Sequence, residues 1–245
     1  MENSVEVINL RKTYDSKVAV NNINFKIKEN EILGLLGPNG CGKTTTIGMI
    51  LGLLKPSGGE ILIEGMKIEE NRINILEKIN FISPYIELPK KLTVKQNLIV
   101  YGKLYSIKNL NSRIEYLVNK LRLEDLLHRV TGELSSGQKN RISLAKALIN
   151  EPSVLLLDEP TASLDPEIGD FVRTFLEDYV KEKKISILLA SHNMNEVTRL
   201  CSSILMMKEG NIIDQGKPEE LIKKHGRKNL EEVFLKLSRN ENELY

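Results

Sequence analysis

The chain has 245 residues, of which 41% are hydrophobic, and 35 basic side chains nearly balance 33 acidic ones. This composition predicts a globular, soluble protein with a sizeable core, and the net charge of +2 gives no sign of a nucleic-acid-coating surface. Two cysteines are too few for a disulfide framework and lack the paired spacing of a zinc site. The longest apolar run is too short and too glycine-rich to span a membrane. We therefore expect a cytoplasmic protein that does not insert into the membrane directly.

The first hundred residues are typical of short strands. The segments SVEVINL, INFKI, EILGLLG and GEILIEG are apolar and are separated by charged or Asn/Gly turns. From Thr93 to about Asn150 the pattern changes to helical spacing in LTVKQNLIVYGKLY, NSRIEYLVNKL and LEDLLHR. This stretch predicts three helices inserted between the strands.

Two continuous apolar runs, SVLLLD and ISILLAS, then predict parallel strands buried on both faces, with the helix PEIGDFVRTFLEDYVKEK between them. SILMMKEGNIIDQG predicts a closing hairpin, and PEELIKKHG and LEEVFLKL predict C-terminal helices. We expect one α/β domain over residues 1–245. Its core would comprise about 1–87 and 151–215, its helical subdomain about 88–150, and its terminal helices about 216–245.

The segment GPNGCGKTT is a phosphate-binding motif. It satisfies G-x-x-x-x-G-K-[ST] between an apolar strand and a helix-compatible segment, so it is favoured over an ordinary glycine-rich turn. Its glycines turn backbone N–H groups toward a β-phosphate, its lysine supplies charge to the β- and γ-phosphates, and its threonine hydroxyl can bind Mg²⁺. The predicted nucleotide-binding residues are Gly37, Pro38, Asn39, Gly40, Cys41, Gly42, Lys43, Thr44 and Thr45.

Asp158 and Glu159 end the apolar run SVLLLD, where open α/β sheets place their ligand chemistry. A carboxylate at this position can hold the shell of a Mg²⁺ ion, and a second one beside it can polarise an attacking water. Adjacent acids at a strand end are common, but together with the glycine-rich loop they form a Walker B element. We predict Asp158, with Thr44, at the metal, Asp158 acting through water, and Glu159 as a catalytic residue.

A second anion-binding signal lies at LSSGQ, before the helical pattern KNRISLAKAL. The N-terminus of a helix offers free N–H groups and a positive dipole end, and Ser135 and Gly137 add a hydroxyl and an unobstructed backbone N–H. A plain helix cap with nothing bound is the alternative. A GTPase would carry an Asn-Lys-x-Asp motif, but Arg122 stands where the aspartate should follow Asn119 and Lys120. A small-molecule kinase would not need the LSSGQ motif.

These motifs resemble the ATP-binding cassette (ABC) family over nearly the whole chain. LSSGQ is similar to the family signature LSGGQ, with Ser136 in place of the first glycine, and ALINEPSVLLLDEPTASLDP is similar to the run from the signature helix to the D-loop. The resemblance implies a P-loop NTPase core with an antiparallel β subdomain and an inserted helical subdomain. It also implies ATP and Mg²⁺ as ligands. Its signature residues are Leu134, Ser135, Ser136, Gly137 and Gln138, and its D-loop positions are Ala162, Ser163, Leu164 and Asp165.

The resemblance also explains the two phosphate-binding signals. In this family two cassettes pack head to tail, so that the loop of one subunit binds a nucleotide over which the signature of the other closes. His192 matches the family's switch histidine, which contacts the γ-phosphate and orients water and Glu159. Tyr14 stands where the family keeps an aromatic that stacks on adenine, although a core aromatic is an alternative.

One position departs from the family pattern. The family usually places a glutamine at the position of Pro84, and no glutamine occurs in the loop before LTVKQNL. Ser83, Tyr85 and Glu87 are the nearest polar side chains.

The resemblance implies the ATPase subunit of a membrane transporter, which dimerises on ATP and works on separate integral membrane subunits at the cytoplasmic face. The helical insert favours transport, and the short chain and the altered loop favour an exporter. A soluble ABC-type ATPase acting on nucleic acid or ribosomes is the alternative. No nucleic acid is expected as a partner, and the sequence decides neither the cargo nor whether the second cassette is identical.

Overall fold

The computed structural model describes residues 3–84, 86–162 and 164–238. An antiparallel sheet with the order β2-β1-β4-β5 carries the first strands of the chain. Its members are β1 (Asn3–Tyr14), β2 (Lys17–Lys28), β4 (Gly58–Ile63) and β5 (Met66–Lys67). Buried and exposed residues alternate along β2, as expected of a strand with one face on the core.

A second, mostly parallel sheet has the order β10-β9-β3-β8-β7-β6. Its strands are β3 (Ile32–Leu36), β6 (Ile79–Ile82), β7 (Val154–Asp158), β8 (Ser186–Ser191), β9 (Ser203–Lys208) and β10 (Asn211–Gly216). The last pair, β9 and β10, is antiparallel. Every residue of β3, β7 and β8 is buried, which is why their sequences are continuous apolar runs.

The parallel sheet separates two hydrophobic clusters. Along β7, Leu155 and Leu157 join the cluster that contains the helical insert, whereas Val154 and Leu156 join the cluster against the antiparallel sheet. The period-two alternation of a strand sends successive side chains to opposite faces, so a single apolar run serves both cores. The strand is thereby fixed in register, because a shift by one residue would exchange the two sets.

Nine α-helices lie within the described ranges, and they join the strands in chain order. They are α1 (Lys43–Ile50), α2 (Arg72–Lys78), α3 (Val94–Leu104), α4 (Leu110–Leu121), α5 (Ser136–Ala147), α6 (Pro166–Lys183), α7 (Met194–Leu200), α8 (Pro218–His225) and α9 (Leu230–Ser238). The helices α3, α4 and α5 contact one another. The division of the chain into subdomains at residues 87, 150 and 215 stays a prediction.

Most predicted elements are confirmed, and one is wrong. The segment LEDLLHR, expected to be a helix, contains only the 3-10 turn Glu124–Leu126. Arg122, with a left-handed φ of 54°, ends α4 before this segment, so the segment does not continue that helix. The short helices α2 and α7 and the two-residue strand β5 were not predicted.

Candidate nucleotide-binding site

Three neighbouring strands bring the predicted site residues to one edge of the sheet. In the parallel pairing, Leu36 of β3 lies opposite Ser191 of β8, and Asp158 of β7 lies opposite Ala190. The glycine-rich loop, the two acids and His192 follow these strand ends directly. The sheet topology therefore places at one edge groups that are far apart in sequence.

The glycine-rich loop needs glycine at two positions that pack against the rest of the fold. Gly42 precedes α1 with a left-handed φ of 115°, and a Cβ there would lie 2.6 Å from the backbone oxygen of Ala19. A Cβ at Gly37 would lie 2.4 Å from the oxygen of Met207. Both distances are shorter than any allowed contact, so a larger residue would displace the loop.

Lys43 is nearly buried, with 6% of its side chain exposed, and its ammonium points back over the loop. Its Nζ donates to the carbonyl oxygen of Gly37 at 2.7 Å and to that of Pro38 at 3.3 Å, and it lies 3.9 Å from Glu159 Oε1. One cation thus faces both the loop and the carboxylate of the neighbouring strand. This arrangement concentrates positive charge where a nucleotide's phosphates would need it.

Thr44 and Asp158 form the oxygen pair predicted at the metal. Thr44 Oγ1 donates to Asp158 Oδ2 at 3.0 Å. Burial raises the pKa of the Asp158 carboxyl, the neighbouring charge of Glu159 adds to this, and the Thr44 bond and the Lys43 charge oppose it. Mg²⁺ prefers such hard oxygen ligands and completes its shell with phosphates and waters, so one hydroxyl and one carboxylate suffice. The residues therefore fit Mg²⁺, although no cluster of three or more potential His, Cys, Asp or Glu metal ligands occurs among the described residues.

Glu159 and His192 lie side by side. His192 Nδ1 is 2.8 Å from Glu159 Oε1, with 59% of the histidine side chain and 14% of the glutamate side chain exposed. This oxygen has no aligned hydrogen bond among the described residues, so the two groups are close neighbours without a hydrogen bond between them. Glu159 also has a left-handed backbone φ of 53°, a conformation that costs a non-glycine residue energy. A strained, largely buried carboxylate beside a histidine is a feature of reactive centres.

A cleft of about 750 Å³ lies above the loop. It is bounded by residues of the β1–β2 turn, the glycine-rich loop, the two acids and the β9–β10 turn: Tyr14, Lys17, Val18, Ala19, Asn39, Gly40, Gly42, Lys43, Thr44, Thr45, Asp158, Glu159, Glu209 and Gly210. Tyr14 is 45% exposed, which excludes the core-aromatic alternative, and its ring lies 5.0 Å from Lys12 Nζ. Cys41, within the loop, is buried, and burial raises the pKa of its thiol.

The signature residues lie at the start of α5 and do not border this cleft. Ser135 is the helix N-cap: its side chain accepts from the backbone N–H of Gln138 at 3.3 Å, and Gln138 Oε1 accepts from Ser135 N at 3.0 Å. Leu134 and Gly137 are buried. Ser136 instead borders a second cavity of about 300 Å³, together with Glu159 and the loop around Pro84. The glycine-rich loop and the signature thus border different cavities, which have Glu159 in common.

The described residues among the remaining predicted positions lie at or next to this second cavity. Ala162 and Leu164 line it, Asp165 caps α6 by accepting from Ile168 N at 3.0 Å, and Ser163 lies outside the described residues. Glu87 pairs with Lys90 at 2.6 Å, and Tyr85 also lies outside the described residues. Glu87 and Lys90 are both exposed, so this ion pair lies on the surface and this part of the loop remains accessible.

Two charged residues in largely buried surroundings were not predicted, one beside the site and one away from it. Glu196 in α7 accepts from Thr161 and Ser191, and Lys146 in α5 lies over two aromatic rings. The only sequence signal for Glu196 is an acidic residue in the first turn of a short helix, which is common at helix N-termini. In the sequence, Lys146 cannot be told apart from an ordinary charged residue on the polar side of an amphipathic helix.

A strand, a glycine-rich loop that begins a helix, and an acidic neighbouring strand end define the class of P-loop nucleotide-binding proteins. The family described as ABC transporter matches residues 20–162, which is more than half of the chain. Nod factor export ATP-binding protein I of Rhizobium johnstonii is 37% identical over 222 residues, covering 89% of this chain and 71% of the relative. The chain belongs to the ABC transporter family and is an ATP-binding subunit of such a transporter.

Solved structures confirm the fold class. An ATP-binding subunit of an ABC transporter superimposes with a TM-score of 0.88 at 26% identity, covering 96% of this chain and 99% of the other. The bacterial ABC transporter cassette MJ0796, solved as a dimer, gives 0.80 at 28% identity, covering 87% and 98%. A second structure of that cassette is a post-hydrolysis state bound to ADP and Pi. Among the described residues of this chain, no helix has the length and apolarity that crossing a bilayer requires.

Proposed function

We propose that this chain hydrolyses ATP in a membrane exporter, closing on ATP against a second cassette subunit and opening after hydrolysis. The observation that carries the proposal is the separation of the cleft over the glycine-rich loop from the signature at α5. Each is half of a phosphate site, and a head-to-tail dimer would join the halves. The relative named for Nod factor export supports export as the direction.

In the cleft, the loop N–H groups and Lys43 would bind the phosphates of ATP, and Tyr14 would stack on the base. Thr44 and, through water, Asp158 would hold Mg²⁺, which when bound neutralises charge on the β- and γ-phosphates. Glu159 would accept a proton from the attacking water, and His192 would fix that carboxylate and contact the γ-phosphate. All of these side chains except His192 line one cleft, which supports the proposed roles.

The signature would act on the nucleotide of the other subunit. Ser135 Oγ accepts from Gln138 N, which leaves its own O–H free to donate to a γ-phosphate. Gly137 would present its N–H beside that hydroxyl. We infer that Ser163 and Asp165 border this composite site, and that the subunit lies at the cytoplasmic face of the membrane, held there by integral membrane subunits.

The test is the Glu159→Gln variant with ATP. The change removes the carboxylate but preserves the shape, so ATP should remain bound and uncleaved and should hold two chains together in size-exclusion chromatography. Glu151→Gln is the matched control, because Glu151 also has a left-handed φ, of 50°, but precedes β7 instead of following it. A Glu159→Gln protein that hydrolyses ATP normally, or stays monomeric at high concentration with ATP, would contradict the proposal. Co-purification from detergent with a polytopic protein tests the membrane partner, and co-purification with ribosomes or DNA instead would favour the soluble alternative.

A further inference from the structure

Glu196 is a buried carboxylate in the first turn of α7, with 1% of its surface exposed. Its two oxygens have different partners: Oε1 accepts from Thr161 Oγ1 at 2.7 Å, and Oε2 accepts from Ser191 Oγ at 2.7 Å. Both bonds are short and both are donated by hydroxyls, as expected for an ionised acceptor. One side chain therefore joins two segments that are 35 and 5 residues away in sequence.

The two hydroxyls belong to the segments that carry the reactive pair. Ser191 directly precedes His192, and Thr161 lies two residues after Glu159. Because His192 Nδ1 is 2.8 Å from Glu159 Oε1, the chain forms a closed ring that runs from Glu159 through Thr161, Glu196 and Ser191 to His192. A backbone bond from Glu159 N to Ala190 O, 2.8 Å long, braces the ring at the strand ends.

Capping of α7 does not explain why a buried carboxylate is present at Glu196. Asn193 already fills that role, since its Oδ1 accepts from the N–H groups of Asn195 and Glu196. Asn193 N also donates to Ser191 Oγ at 3.1 Å, so the residues on both sides of His192 are hydrogen-bonded to this network. These hydrogen bonds therefore hold in place the backbone that carries the exposed imidazole.

A contribution to the stability of the fold does not explain the carboxylate of Glu196 either. Burial raises the pKa of its carboxyl, the charge of Glu159 adds to this, and the two hydroxyl bonds and the charge of Arg173 oppose it. A buried carboxylate without a close cationic partner is less favourable than an apolar side chain of the same size. A role in placing the surrounding groups explains why this position holds a carboxylate.

We propose that Glu196 is a positioning residue for hydrolysis, which ties the segment after β7 to the segment after β8 and so keeps His192 against Glu159. The proposal deepens the function proposed above and rests on it. Glu196 touches neither nucleotide nor water in this role, and it acts by holding the pair in register.

The experiment compares steady-state ATP hydrolysis by four variants. Glu196→Ala and Ser191→Ala should lower kcat by about tenfold or more with little change in KM, because small misplacements at a reacting centre have large effects on rate. Glu196→Gln keeps the shape, and its amide can donate to a hydroxyl that now accepts, so it should restore most of the rate. Ser186→Ala is the matched control, since Ser186 is the buried, hydrogen-bonded serine at the other end of β8.

A second readout does not depend on turnover. The chain has three histidines, so the ring signals of His192 can be assigned by NMR. In Glu196→Ala the signals of His192 should shift while those of His128 and His225 stay, and in Ser186→Ala all three should stay. If Glu196→Ala does not fold, Ser191→Ala carries the same comparison, because it removes the hydrogen bond to Glu196 Oε2.

Unchanged His192 signals in Glu196→Ala or Ser191→Ala would overturn the proposal, and so would an unchanged kcat in either alanine variant when it is active. An equal fall in kcat for Ser186→Ala would also overturn it, because the effect would then be one of general packing. A wild-type protein that binds but never hydrolyses ATP would refute the proposed function, whereas the ring would still be judged by the histidine signals.

Discussion

Lys43 is the residue on which nucleotide binding should depend most. Its ammonium is held over the loop by the carbonyl oxygens of Gly37 and Pro38, and only 6% of the side chain is exposed. A bound phosphate would receive a charge-assisted bond from an ammonium that is already desolvated and oriented. The side chain therefore contributes to affinity through its placement as well as through its charge.

We expect Lys43→Ala to weaken Mg-ATP binding by roughly 1.5–3 kcal/mol, the range for a hydrogen bond to a charged group. Isothermal titration with the nucleotide measures the change, and a melting curve without nucleotide shows whether the fold is intact. Lys78→Ala, which removes a lysine paired with Glu64 away from the cleft, is the control. Equal affinities for Lys43→Ala and wild type would refute the assignment of the loop.

At the scale of elements, α5 begins with a capping box that also belongs to the signature. Ser135 and Gln138 satisfy each other's backbone groups, as Thr93 and Gln96 do at the start of α3. A cap stabilises a helix whether or not a phosphate is present, so loss of Ser135 would confuse the two roles. The chain offers a substitution that separates them.

Ser135→Asp should preserve the helix and abolish ATP-driven dimerisation. Aspartate is as good an N-cap as serine, so the midpoint of thermal unfolding should change little, but its carboxylate would meet the γ-phosphate of a partner's nucleotide. Dimerisation is measured in the Glu159→Gln background by size-exclusion chromatography with ATP. Thr93→Asp makes the same exchange in the same motif on α3 and should leave the dimer intact. A stable dimer with Ser135→Asp would mean that the signature caps a helix and binds nothing.

The last turn of α5 carries a desolvated lysine. Lys146 Nζ lies 5.0 Å from the ring centroid of Phe81 and 5.5 Å from that of Tyr101, and it also contacts Asn80 Oδ1 at 3.4 Å and the Phe81 carbonyl at 3.3 Å. Burial lowers the pKa of Lys146 to about 8. The unfolded chain therefore holds this proton more tightly than the folded chain does, and the folded state gains stability as the pH rises from about 8 toward the usual pKa of lysine.

Lys146→Met should stabilise the protein at pH 7 by an amount on the order of 2–3 kcal/mol, since methionine keeps the packing on both rings without a charge. The advantage over wild type should shrink between about pH 8 and pH 10, where wild type loses the charge. Urea unfolding at several pH values measures it. Lys139→Met, on the same helix but away from the rings, is the control. Curves for Lys146→Met and wild type that remain parallel would show that burial does not perturb this lysine.

At the scale of the whole molecule, the loop around Pro84 connects the second cavity with the surface. Ser83, Pro84 and Ile86 line the cavity that Glu159 also borders, while Ile86 and Glu87 are exposed. Proline has neither a side-chain donor nor a backbone N–H, so it cannot replace a glutamine at metal or water. A partner that contacts the exposed part of this loop would be able to influence the reactive carboxylate.

We therefore expect the isolated subunit to hydrolyse ATP slowly, and its membrane partner to raise the rate by about tenfold or more through completion of the site. Replacing Tyr85 and Glu87 together by alanine should remove the stimulation and leave the basal rate. Turnover of the subunit alone and of the assembled transporter gives the comparison. Glu60→Ala, which removes an exposed glutamate paired with Lys67 in the antiparallel sheet, is the control. Stimulation that survives the double change would leave the loop without a coupling role.

The elements that sequence alone predicts best are those with complete local signals. The bounds of α6 follow from its apolar stripe, the Asp165 cap and the proline after it, and β7 and β8 follow from runs that only a doubly buried strand can carry. The helices α2 and α7 have seven residues each, too few for a period to be recognised. LEDLLHR has helical spacing but packs as a turn, because tertiary contacts override propensity in so short a segment.

The site divides in the same way. The loop, the acids and the signature are contiguous motifs, so one sequence suffices to predict them as candidates. The partners of Glu196 come from two other strand ends, and those of Lys146 come from β6 and α3. Such pairings depend on which strands are neighbours in the sheet, and a single sequence does not specify that order.

At Glu159, the left-handed backbone makes thermal stability and activity conflicting requirements. Conformational strain at a non-glycine residue with φ of 53° costs about 1–2 kcal/mol, and burying a carboxylate adds to it. Glycine at this position would have neither the backbone strain nor the buried carboxylate. Selection of random variants for survival at high temperature alone would therefore enrich chains that have lost Glu159, so such a campaign on this protein would need to score hydrolysis in every round.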